Sequence, residues 1–352
     1  MRSIIFCALL TGLLAGCATG PKVLDFDSNG LKEPLMFPKG AEVPRYLYLG
    51  DLTGENNFKR QGEEGYGTAR TVFNWLVGLV GNVPHVVELQ RPQSGYTDKS
   101  GRVYVTDVSR QAVFVFDSSL GELKLWEMAE PHVRFKSPVG IASGPQNTLL
   151  VADAELGLVA RLNADGQPLT SFGKGVLKRP TGITRDEEKG LTYVADTHAH
   201  DIKVFDDRGE LIETIGSHGD GAGQFNFPTH LAYYDDKLFV TDTLNARVQI
   251  YSRDQQLENT FGKRGMYVGN MVRPKGVTVD DEGNIYVIES LYDTLLIFNP
   301  EGQLLMTIGG TGKEAGKFFL PAGIWTDKRN RIYVADMFNG RVSIFQFLGE
   351  GK

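Results

Sequence analysis

The stretch Ile332-Tyr-Val-Ala-Asp336 has the pattern that decides the fold, a β-forming apolar run closed by an acidic residue. The pattern occurs five more times, as Val103-Tyr-Val-Thr-Asp107, Leu149-Leu-Val-Ala-Asp153, Thr192-Tyr-Val-Ala-Asp196, Leu238-Phe-Val-Thr-Asp242 and Ile285-Tyr-Val-Ile-Glu289. A proline stands 14 to 16 residues before each acid, and a second alternating run follows each acid. Short runs separated by turn residues predict antiparallel strands, four to each unit of about 45 residues. We therefore predict an all-β fold, a six-bladed β-propeller over residues 45–348.

The two ends of the repeat array predict how the propeller closes. The sixth repeat stops after Val342-Ser-Ile-Phe-Gln-Phe347 and lacks the outer strand that Leu211-Ile-Glu-Thr-Ile215 provides in an earlier repeat. The upstream stretch Arg45-Tyr-Leu-Tyr-Leu-Gly50 has the shape of that missing strand. We predict that it completes the sixth blade, a closure of three strands plus one that leaves no free sheet edge.

Parts of the repeats resemble a known family. NHL repeats are similar to Gly216-Ser-His-Gly-Asp-Gly-Ala-Gly-Gln-Phe-Asn-Phe-Pro228 and to Arg273-Pro-Lys-Gly-Val-Thr-Val-Asp280, and the resemblance extends over roughly residues 92–347. The resemblance implies a propeller fold. It says little about function, because one propeller architecture carries many activities.

The N-terminus has the features of an export signal. Arg2 precedes an apolar segment, residues 4–14, that is too short to span a bilayer. The segment leads into Leu14-Ala-Gly-Cys17, which resembles a bacterial lipobox. The resemblance implies that residues 1–16 are a signal peptide and that Cys17 carries lipid. Because Ala18 follows the cysteine in place of an aspartate, an outer-membrane location is favoured. The alternative is an ordinary secretory signal that contains a cysteine.

Composition narrows the chemistry open to the mature chain. Cys7 would leave with the signal and Cys17 would carry lipid, so no free thiol would remain. This excludes disulfides, cysteine-ligated metal centres, covalent c-type haem and cysteine catalysis. A net charge of −6 gives no signature of nucleic-acid binding. Residues 17–44, rich in proline and glycine, are predicted to be a flexible tether from the membrane to a monomeric propeller.

An insertion interrupts the connection from the closing strand to the first repeat. It covers residues 59–89, and residues 69–80 within it have the spacing of a helix that is apolar on nearly all sides. Such a helix must bury itself, so it either packs on the propeller as a lid or presents an anchor to a partner. The side chains predicted for that partner surface are Phe73, Trp75 and Val77.

Positions that recur once per blade are the first candidates for chemistry. The six acids could form a ring, but an acid at the turn after a strand usually accepts backbone N–H groups, which favours a structural role. The amidating lyases, six-bladed propellers with NHL-like repeats, hold zinc by histidines directly after the strand-opening prolines. The corresponding residues here are Gln93, Val139, Thr181, Thr229, Lys275 and Ala322. None is a histidine, so that three-histidine zinc site is not supported.

The histidines themselves suggest few ligands. His230 stands one residue further on, where other blades mostly have glycine. With it, the predicted ligand positions at the channel mouth are Gln93, Thr181, Thr229 and Lys275. His198 and His200 share a loop with Asp196 and Asp201, but NHL repeats commonly have histidine at the second position. Because no Ser–His–Asp arrangement, phosphate-binding glycine loop or haem attachment sequence is recognisable, we predict no catalytic residue, metal or cofactor.

Charge is divided between the two faces of the predicted propeller. The loops that join one blade to the next are rich in lysine and arginine, whereas the turns between third and fourth strands are mainly acidic. A basic face favours an acidic partner. With the inserted helix, the residues predicted for this partner surface are Lys178, Arg179, Lys263, Arg264 and Arg273.

These observations favour a non-catalytic binding or scaffold propeller, anchored by lipid in the cell envelope, that docks a protein or another acidic partner on its basic face. An envelope protein is the expected partner, and a cytochrome-type assembly is one option. The alternative is an enzyme, a metal-dependent lyase, lactonase or hydrolase that works in the central channel. The metal content of the purified protein separates the two, because stoichiometric zinc or calcium would favour the enzyme.

Replacing the predicted lipid attachment site tests the anchoring. The Cys17→Ser substitution should release the protein from membranes, because no other segment of the sequence is long and apolar enough to hold it there. The measurement is the fraction that sediments with membranes after a high-salt wash, which screens electrostatic adhesion. Sedimentation of the variant at the wild-type level would contradict the lipobox.

Overall fold

The computed structural model describes residues 22–28, 30–60 and 86–349 of the chain. These residues include six antiparallel sheets arranged as the blades of a propeller. The inner strands of neighbouring blades contact one another around the channel, and the last inner strand contacts the first. The predicted six-bladed, all-β fold is therefore confirmed.

The strands of the blades follow the repeats. Blade 1 consists of Pro92–Thr97, Val103–Asp107, Ala112–Asp117 and Glu122–Trp126, and blade 2 of Pro138–Ser143, Leu149–Asp153 and Leu158–Leu162. Blade 3 consists of Pro180–Asp186, Leu191–Asp196, Asp201–Phe205 and Leu211–Ile215, and blade 4 of Pro228–Tyr234, Lys237–Asp242, Arg247–Tyr251 and Leu257–Phe261. Blade 5 consists of Pro274–Val279, Ile285–Glu289, Thr294–Phe298 and Leu304–Gly309, and blade 6 of Ile324–Thr326, Arg331–Asp336, Arg341–Phe347, Tyr46–Leu52 and Met36–Phe37. Smaller elements are the paired strands Lys22–Leu24 with Phe58–Arg60 and Met128–Glu130 with Val133–Arg134, and the 3-10 turns Glu55–Asn57, Pro145–Asn147, Thr243–Asn245 and Met337–Asn339.

Blade 2 departs from the predicted four strands. Its fourth position is taken by a stretch that meets the third strand at two isolated bridges, Leu162 with Pro168 and Val159 with Phe172. A proline lacks the N–H group that a regular ladder needs, so Pro168 limits the pairing. The prediction of four regular strands is wrong for this blade.

A buried acid lies opposite the opening proline in each of the first five blades. The Asp153 carboxylate shows the role of these acids. It accepts backbone N–H groups from residues 136 and 137, before the inner strand, and from residues 155 and 156, after the second strand, over 2.8–3.1 Å. Asp107 and Glu289 bind both connections in the same way. The acids therefore have the structural role that the pattern favoured.

Side chains of facing sheets form the core between the blades. Four second strands each bury a tyrosine almost completely, namely Tyr104, Tyr193, Tyr286 and Tyr333. Hydroxyl groups also join neighbouring blades near the channel. Thr106 Oγ1 donates to the carbonyl of Val139 at 2.6 Å, and Thr243 Oγ1 donates to the carbonyl of Pro274 at 2.8 Å. The ring is thus held by apolar packing between blades and by hydrogen bonds at its centre.

The N-terminal strand is the outer neighbour of the last strand. Tyr46–Leu52 pairs antiparallel with Arg341–Phe347, near the stretch that the sequence analysis assigned to this place. Arg341 Nη1 and Ser343 Oγ each donate to the Asp51 carboxylate at 2.8 Å. Arg341 also donates through Nε to Asp336 at 2.8 Å. Because these side chains are all buried, the two ends of the chain meet in a group shielded from water.

The predicted tether, residues 17–44, differs from the structure where it is described. Lys22–Leu24 pairs with Phe58–Arg60, and Met36–Phe37 pairs with residues 46 and 47. Phe37 is buried, with its ring centroid 6.0 Å from that of Phe345. Burial of Phe37, with partial burial of Leu24, Phe26 and Leu35, therefore attaches parts of this segment to the propeller, while most of its other described residues are exposed.

The predicted insertion, residues 59–89, is described only near its ends. Lys59 belongs to a short strand, and Leu89 is buried in the cluster between blades 6 and 1. The helix predicted for residues 69–80, with Phe73, Trp75 and Val77, lies outside the described residues, as does Cys17. Among the residues that the structure describes, no helix is long and apolar enough to cross a membrane.

Removing the carboxylate that the last strand binds should weaken the closure. Asp51→Ala leaves the buried Arg341 guanidinium with one carboxylate in place of two, so we expect the free energy of unfolding to fall by about 3 kcal/mol. Asp25→Ala is the control, because its 2.6 Å pair with Lys59 is exposed and should contribute less than about 1 kcal/mol. Guanidinium-induced unfolding measures both values. Equal losses would show that the Asp51 group does not hold the closure.

Candidate functional site: the basic face and its end of the channel

Chain direction sorts the loops onto two faces. The loops between blades and the turns between second and third strands lie on one face, here called the basic face. The turns between first and second strands and between third and fourth strands lie on the other, the acidic face. Each inner strand runs from the basic face to the acidic face, so its first residues lie at the basic end of the channel.

The positive charge of the basic face is partly neutralised by salt bridges. Three pairs lie in the loops on either side of blade 2, namely Arg134–Glu127, Lys136–Glu155 and Lys174–Glu130, at 2.5, 3.4 and 3.8 Å. Within the described chain, no salt bridge is formed by Lys178, Arg179, Lys263, Arg273, Lys313 or Lys317. Arg264 donates to the carbonyl of Leu244 at 2.6 Å. Cations that form no salt bridge with the described residues therefore extend from the loop before blade 3 to the loop before blade 6, where a backbone hydrogen bond and the nearby Lys317 together lower the pKa of Glu314.

Exposed apolar side chains occupy the same part of this face. Met266, Tyr267 and Val268, at the tip of the loop before blade 5, are 88%, 86% and 79% exposed. Five more, each 40–45% exposed, come from neighbouring loops and turns: Leu244, Leu291, Tyr292, Phe319 and Phe338. We call these eight residues the blade 4–6 patch. The loop with the Met266–Val268 tip also carries the cations Lys263, Arg264 and Arg273, so apolar and cationic side chains share this part of the basic face.

The loops that carry the patch have a common base. Phe225, Met271 and Phe318 are each fully buried and pair back across the loop before blades 4, 5 and 6. In blade 4, Arg247 holds the preceding loop in place, because it donates hydrogen bonds to the carbonyls of residues 220, 221 and 224 at 2.8–2.9 Å. Arg341 holds the loop before blade 6 in the same way. Blade 5 has Thr294 at this position, so the Met266–Val268 tip has no such arginine beneath it.

The sequence analysis missed the apolar part of this surface. Alignment of the repeats places Met266-Tyr-Val268 where the loop before blade 4 has Asp220-Gly-Ala222, and this contrast was the available signal. The five predicted cations all lie on the basic face. Lys263, Arg264 and Arg273 belong to the loop with the apolar tip, whereas Lys178 and Arg179 belong to the loop before blade 3.

At three of the five ligand positions predicted at the channel mouth, the side chain forms hydrogen bonds with other groups of the protein. Thr181 Oγ1 lies 2.7 Å from Thr197 Oγ1 and donates to the carbonyl of Thr229 at 2.9 Å. Thr229 Oγ1 lies 2.7 Å from Thr243 Oγ1. Gln93 makes only long hydrogen bonds, of 3.4 and 3.5 Å, to the carbonyls of residues 91 and 92. The Thr181 hydroxyl therefore joins the inner strands of blades 3 and 4, and the Thr229 hydroxyl joins the inner strand of blade 4 to the turn after its second strand.

His230 and Lys275, the other two positions, have polar groups for which the described residues provide no partner. His230 is 7% exposed, and neither ring nitrogen has a hydrogen-bond partner among the described residues. Burial, with a smaller effect of Lys275, lowers the pKa of His230 to about 3, so the ring is neutral at pH 7. Burial and Arg273 lower the pKa of Lys275, whose ammonium group makes no hydrogen bond or salt bridge within the described chain.

The histidine-rich loop of blade 3 forms a packed group of rings. The His200 ring centroid lies 4.3 Å from that of His218, and His200 Nδ1 accepts the backbone N–H of Phe227 at 3.2 Å. Burial and the neighbouring histidines lower the pKa of His200. Asp201, grouped with these histidines in the sequence, pairs with Lys203 at 2.7 Å. Over the described ranges, no three His, Cys, Asp or Glu side chains are grouped so that they could hold a metal ion.

A cavity lies at the end of the channel that opens on the acidic face. A cavity of about 600 Å³ is lined there by inner-strand residues that include Tyr96, Arg185, Tyr234 and Trp325. The sequence analysis did not predict this cavity, because its wall combines strand ends from all six blades. The guanidinium of Arg185 is already paired with Asp207 at 2.6 Å.

Comparison with known proteins agrees with the repeat pattern. A family model described as a 6-bladed beta-propeller matches residues 271–350. NHL repeat-containing protein 2 of Bos taurus is 28% identical over 168 residues, 38% of this chain and 23% of that protein. RING finger protein nhl-1 of Caenorhabditis elegans is 30% identical over 129 residues, 35% of this chain and 13% of that protein. The chain thus matches less than a quarter of the length of either relative.

Solved structures share the architecture. A structural genomics protein from Bacteroides thetaiotaomicron superposes with a TM-score of 0.60 at 15% identity, over 76% of this chain and 71% of that one. A virginiamycin B lyase from Staphylococcus aureus gives 0.52 at 12% identity, over 74% and 96%. A gluconolactonase from Xanthomonas campestris gives 0.56 at 15%, over 74% and 86%. At these identities the likeness shows the fold alone. The chain is therefore a six-bladed β-propeller whose repeats are similar to NHL repeats.

Proposed function

We propose that this propeller is a binding or scaffold protein without catalytic activity, which docks an acidic protein on its basic face through the blade 4–6 patch. The observation that carries the proposal is the coincidence of two features on one surface. Eight apolar side chains are exposed there, and cations that form no salt bridge with a described residue, such as Lys263 and Arg273, lie in the loop that carries the apolar tip.

The physical chemistry of the patch suits a protein interface. Apolar side chains gathered on one surface mark sites of association, since single exposed apolar residues are ordinary but clusters are not. Burying a side chain such as Met266 or Val268 contributes about 1.5–3 kcal/mol, and tyrosine and methionine are enriched at the centres of interfaces. Cations at the rim attract an acidic partner and set its orientation more than they add affinity.

The relatives support the use of such a propeller as a module. The matched segment is 23% of NHL repeat-containing protein 2 and 13% of RING finger protein nhl-1, so in both it is one part of a longer chain. A propeller that presents a surface can serve in such a setting without catalytic residues, because function depends on the site carried by a fold.

Lipid attachment at Cys17 in the outer membrane is also part of the proposal, and it would orient the docking face. The Lys22 carbonyl lies against Gly121, in the turn between third and fourth strands of blade 1 on the acidic face. The five residues from Cys17 to Lys22 reach at most about 17 Å. A lipid on Cys17 would therefore keep the edge near Gly121 close to the bilayer and leave the basic face turned toward a partner in the envelope.

Substitution of the loop tip tests the docking surface. A chain with Met266→Ser, Tyr267→Ser and Val268→Ser should retain less than about a tenth of its partner after mild crosslinking, because the central side chains of the interface are removed. The melting temperature should not change, since all three side chains are exposed. Quantitative mass spectrometry of the proteins crosslinked to the full chain in its own envelope is the measurement.

The control moves the same substitutions to other exposed positions. Leu120→Ser, Ile212→Ser and Leu305→Ser replace side chains that are 61%, 56% and 55% exposed and lie away from the patch. The proposal requires an acidic protein that the wild type and this control capture and the tip variant does not. Equal capture by all three chains would overturn it.

A further inference from the structure

The cavity at the acidic end of the channel lies opposite the face that carries the blade 4–6 patch. It has a volume of about 600 Å³, which is typical of sites for small molecules. Inner strands of all six blades and the turns after two of them form its wall. Two adjoining cavities, of about 450 and 420 Å³, also include Tyr96 and Glu187 in their linings. The three cavities therefore meet around these two side chains.

Aromatic rings form part of the cavity wall, namely those of Tyr96, Tyr233, Tyr234 and Trp325. The Trp325 ring stacks on that of Tyr333, with the two centroids 5.2 Å apart. Gly95 makes room for the indole, because a Cβ on this glycine would lie 2.3 Å from the ring. The other five blades have isoleucine, leucine or valine at this position. Tyr96 and Tyr234 are half-buried, so part of each side chain is accessible to a ligand.

Negative charge exceeds positive charge in the lining of this cavity. The acids are Asp186, Glu187, Glu188, Asp235 and Asp236. The cation of the lining is Arg185, and it is already paired with Asp207 at 2.6 Å. The cavity therefore has an excess of carboxylates even before the pairing of Arg185 is considered.

Two of these acids have no cation as a partner among the described residues. Hydrogen bonds or salt bridges engage the other three. Glu187 accepts one hydrogen bond, from Ser143 Oγ at 3.1 Å, and Asp235 forms no hydrogen bond or salt bridge with a described residue. Both side chains are exposed and belong to the turns after the inner strands of blades 3 and 4. Two carboxylates on neighbouring turns are therefore available to a positively charged ligand.

We propose that this cavity binds a small organic cation, a protonated amine attached to an aromatic or apolar group. The ammonium group lies near the carboxylates of Glu187 and Asp235, and the apolar part lies against Tyr96 and Tyr234. The face of an aromatic ring attracts a cation, so the rings and the carboxylates favour the same ligand. A concave site with an excess of negative charge also raises the local concentration of cations. The site does not depend on the docking of a protein at the blade 4–6 patch, which lies on the opposite face.

Binding of benzylammonium, benzyl alcohol and benzoate to the purified full chain tests the preference for a cation. The three compounds have the same ring and differ in charge. We expect saturable transfer of magnetisation from the protein to the ring protons of benzylammonium by NMR, at neutral pH and constant ionic strength. Benzyl alcohol should bind about tenfold more weakly, because it lacks the charge that the carboxylates and rings attract. Benzoate should show no saturable binding, since the acids repel it.

Substitutions that remove charge without changing side-chain size locate the site. Glu187→Gln and Asp235→Asn should each weaken benzylammonium binding by about threefold, and the two together by about tenfold. Asparagine tolerates the left-handed backbone at residue 235, where φ is +47°, so this variant should fold. Glu301→Gln is the matched control, because Glu301 is an exposed acid of the same face that does not line the cavity, and it should bind like the wild type.

Three results would overturn the proposal. The first is an absence of saturable benzylammonium binding to the wild type. The second is equal binding of benzylammonium and benzyl alcohol, which would indicate a site for neutral ligands. The third is equal weakening by Glu301→Gln and Glu187→Gln, which would indicate general attraction to the acidic face. Melting temperatures show whether each variant is folded, and the comparison of the three compounds on the wild type needs no variant.

Discussion

One buried carboxylate in each blade holds the loops of the basic face in place. Asp153 accepts N–H groups from residues 136 and 137 before its blade's inner strand and from residues 155 and 156 after the second strand. A buried carboxylate without such donors would be strongly unfavourable, so neither connection can move away without losing stability. The loops that present the cations and the apolar patch are therefore positioned by the register of the strands beneath them.

The closure of the ring uses a pairing of arginine with a buried aspartate that also occurs within blade 4. In blade 4, Arg247 links Asp242 to the carbonyls of the preceding loop. Arg341 does the same with Asp336 in blade 6 and, in addition, binds Asp51 of the N-terminal strand. Burial raises the pKa of Asp336 to about 6, because the charged carboxylate is unfavourable where water is excluded. Removing one partner of such a buried group leaves an uncompensated charge, so the loss of either carboxylate would destabilise the closure.

The parts of this structure that the sequence predicted depend on local chemistry. Strand period, turn residues and the recurring prolines predicted the blade number. The alternation after Arg45 predicted a strand close to Tyr46–Leu52, but the predicted closure of three strands plus one is not what blade 6 shows, because Met36–Phe37 adds a fifth strand. Apart from the irregular fourth strand of blade 2, where Pro168 is a local cause, the errors concern contacts between distant residues. Composition alone makes residues 17–44 look like a linker, but blade 6 offers a surface on which Phe37 is buried. Likewise, the salt bridge of Lys136 with Glu155 joins a loop to a turn, and no local pattern tells which acid reaches which lysine.

The division of charge between the faces also decides from which side an anion would approach the channel. From the acidic face it would pass the cavity, whose lining has the acids Asp186, Glu187, Glu188, Asp235 and Asp236 against Arg185, and an excess of negative charge repels an anion. From the basic face it would meet Arg273, which is exposed, and then the half-buried Lys275. Approach of an anion to the channel and docking of an acidic protein would therefore use the same side of the propeller.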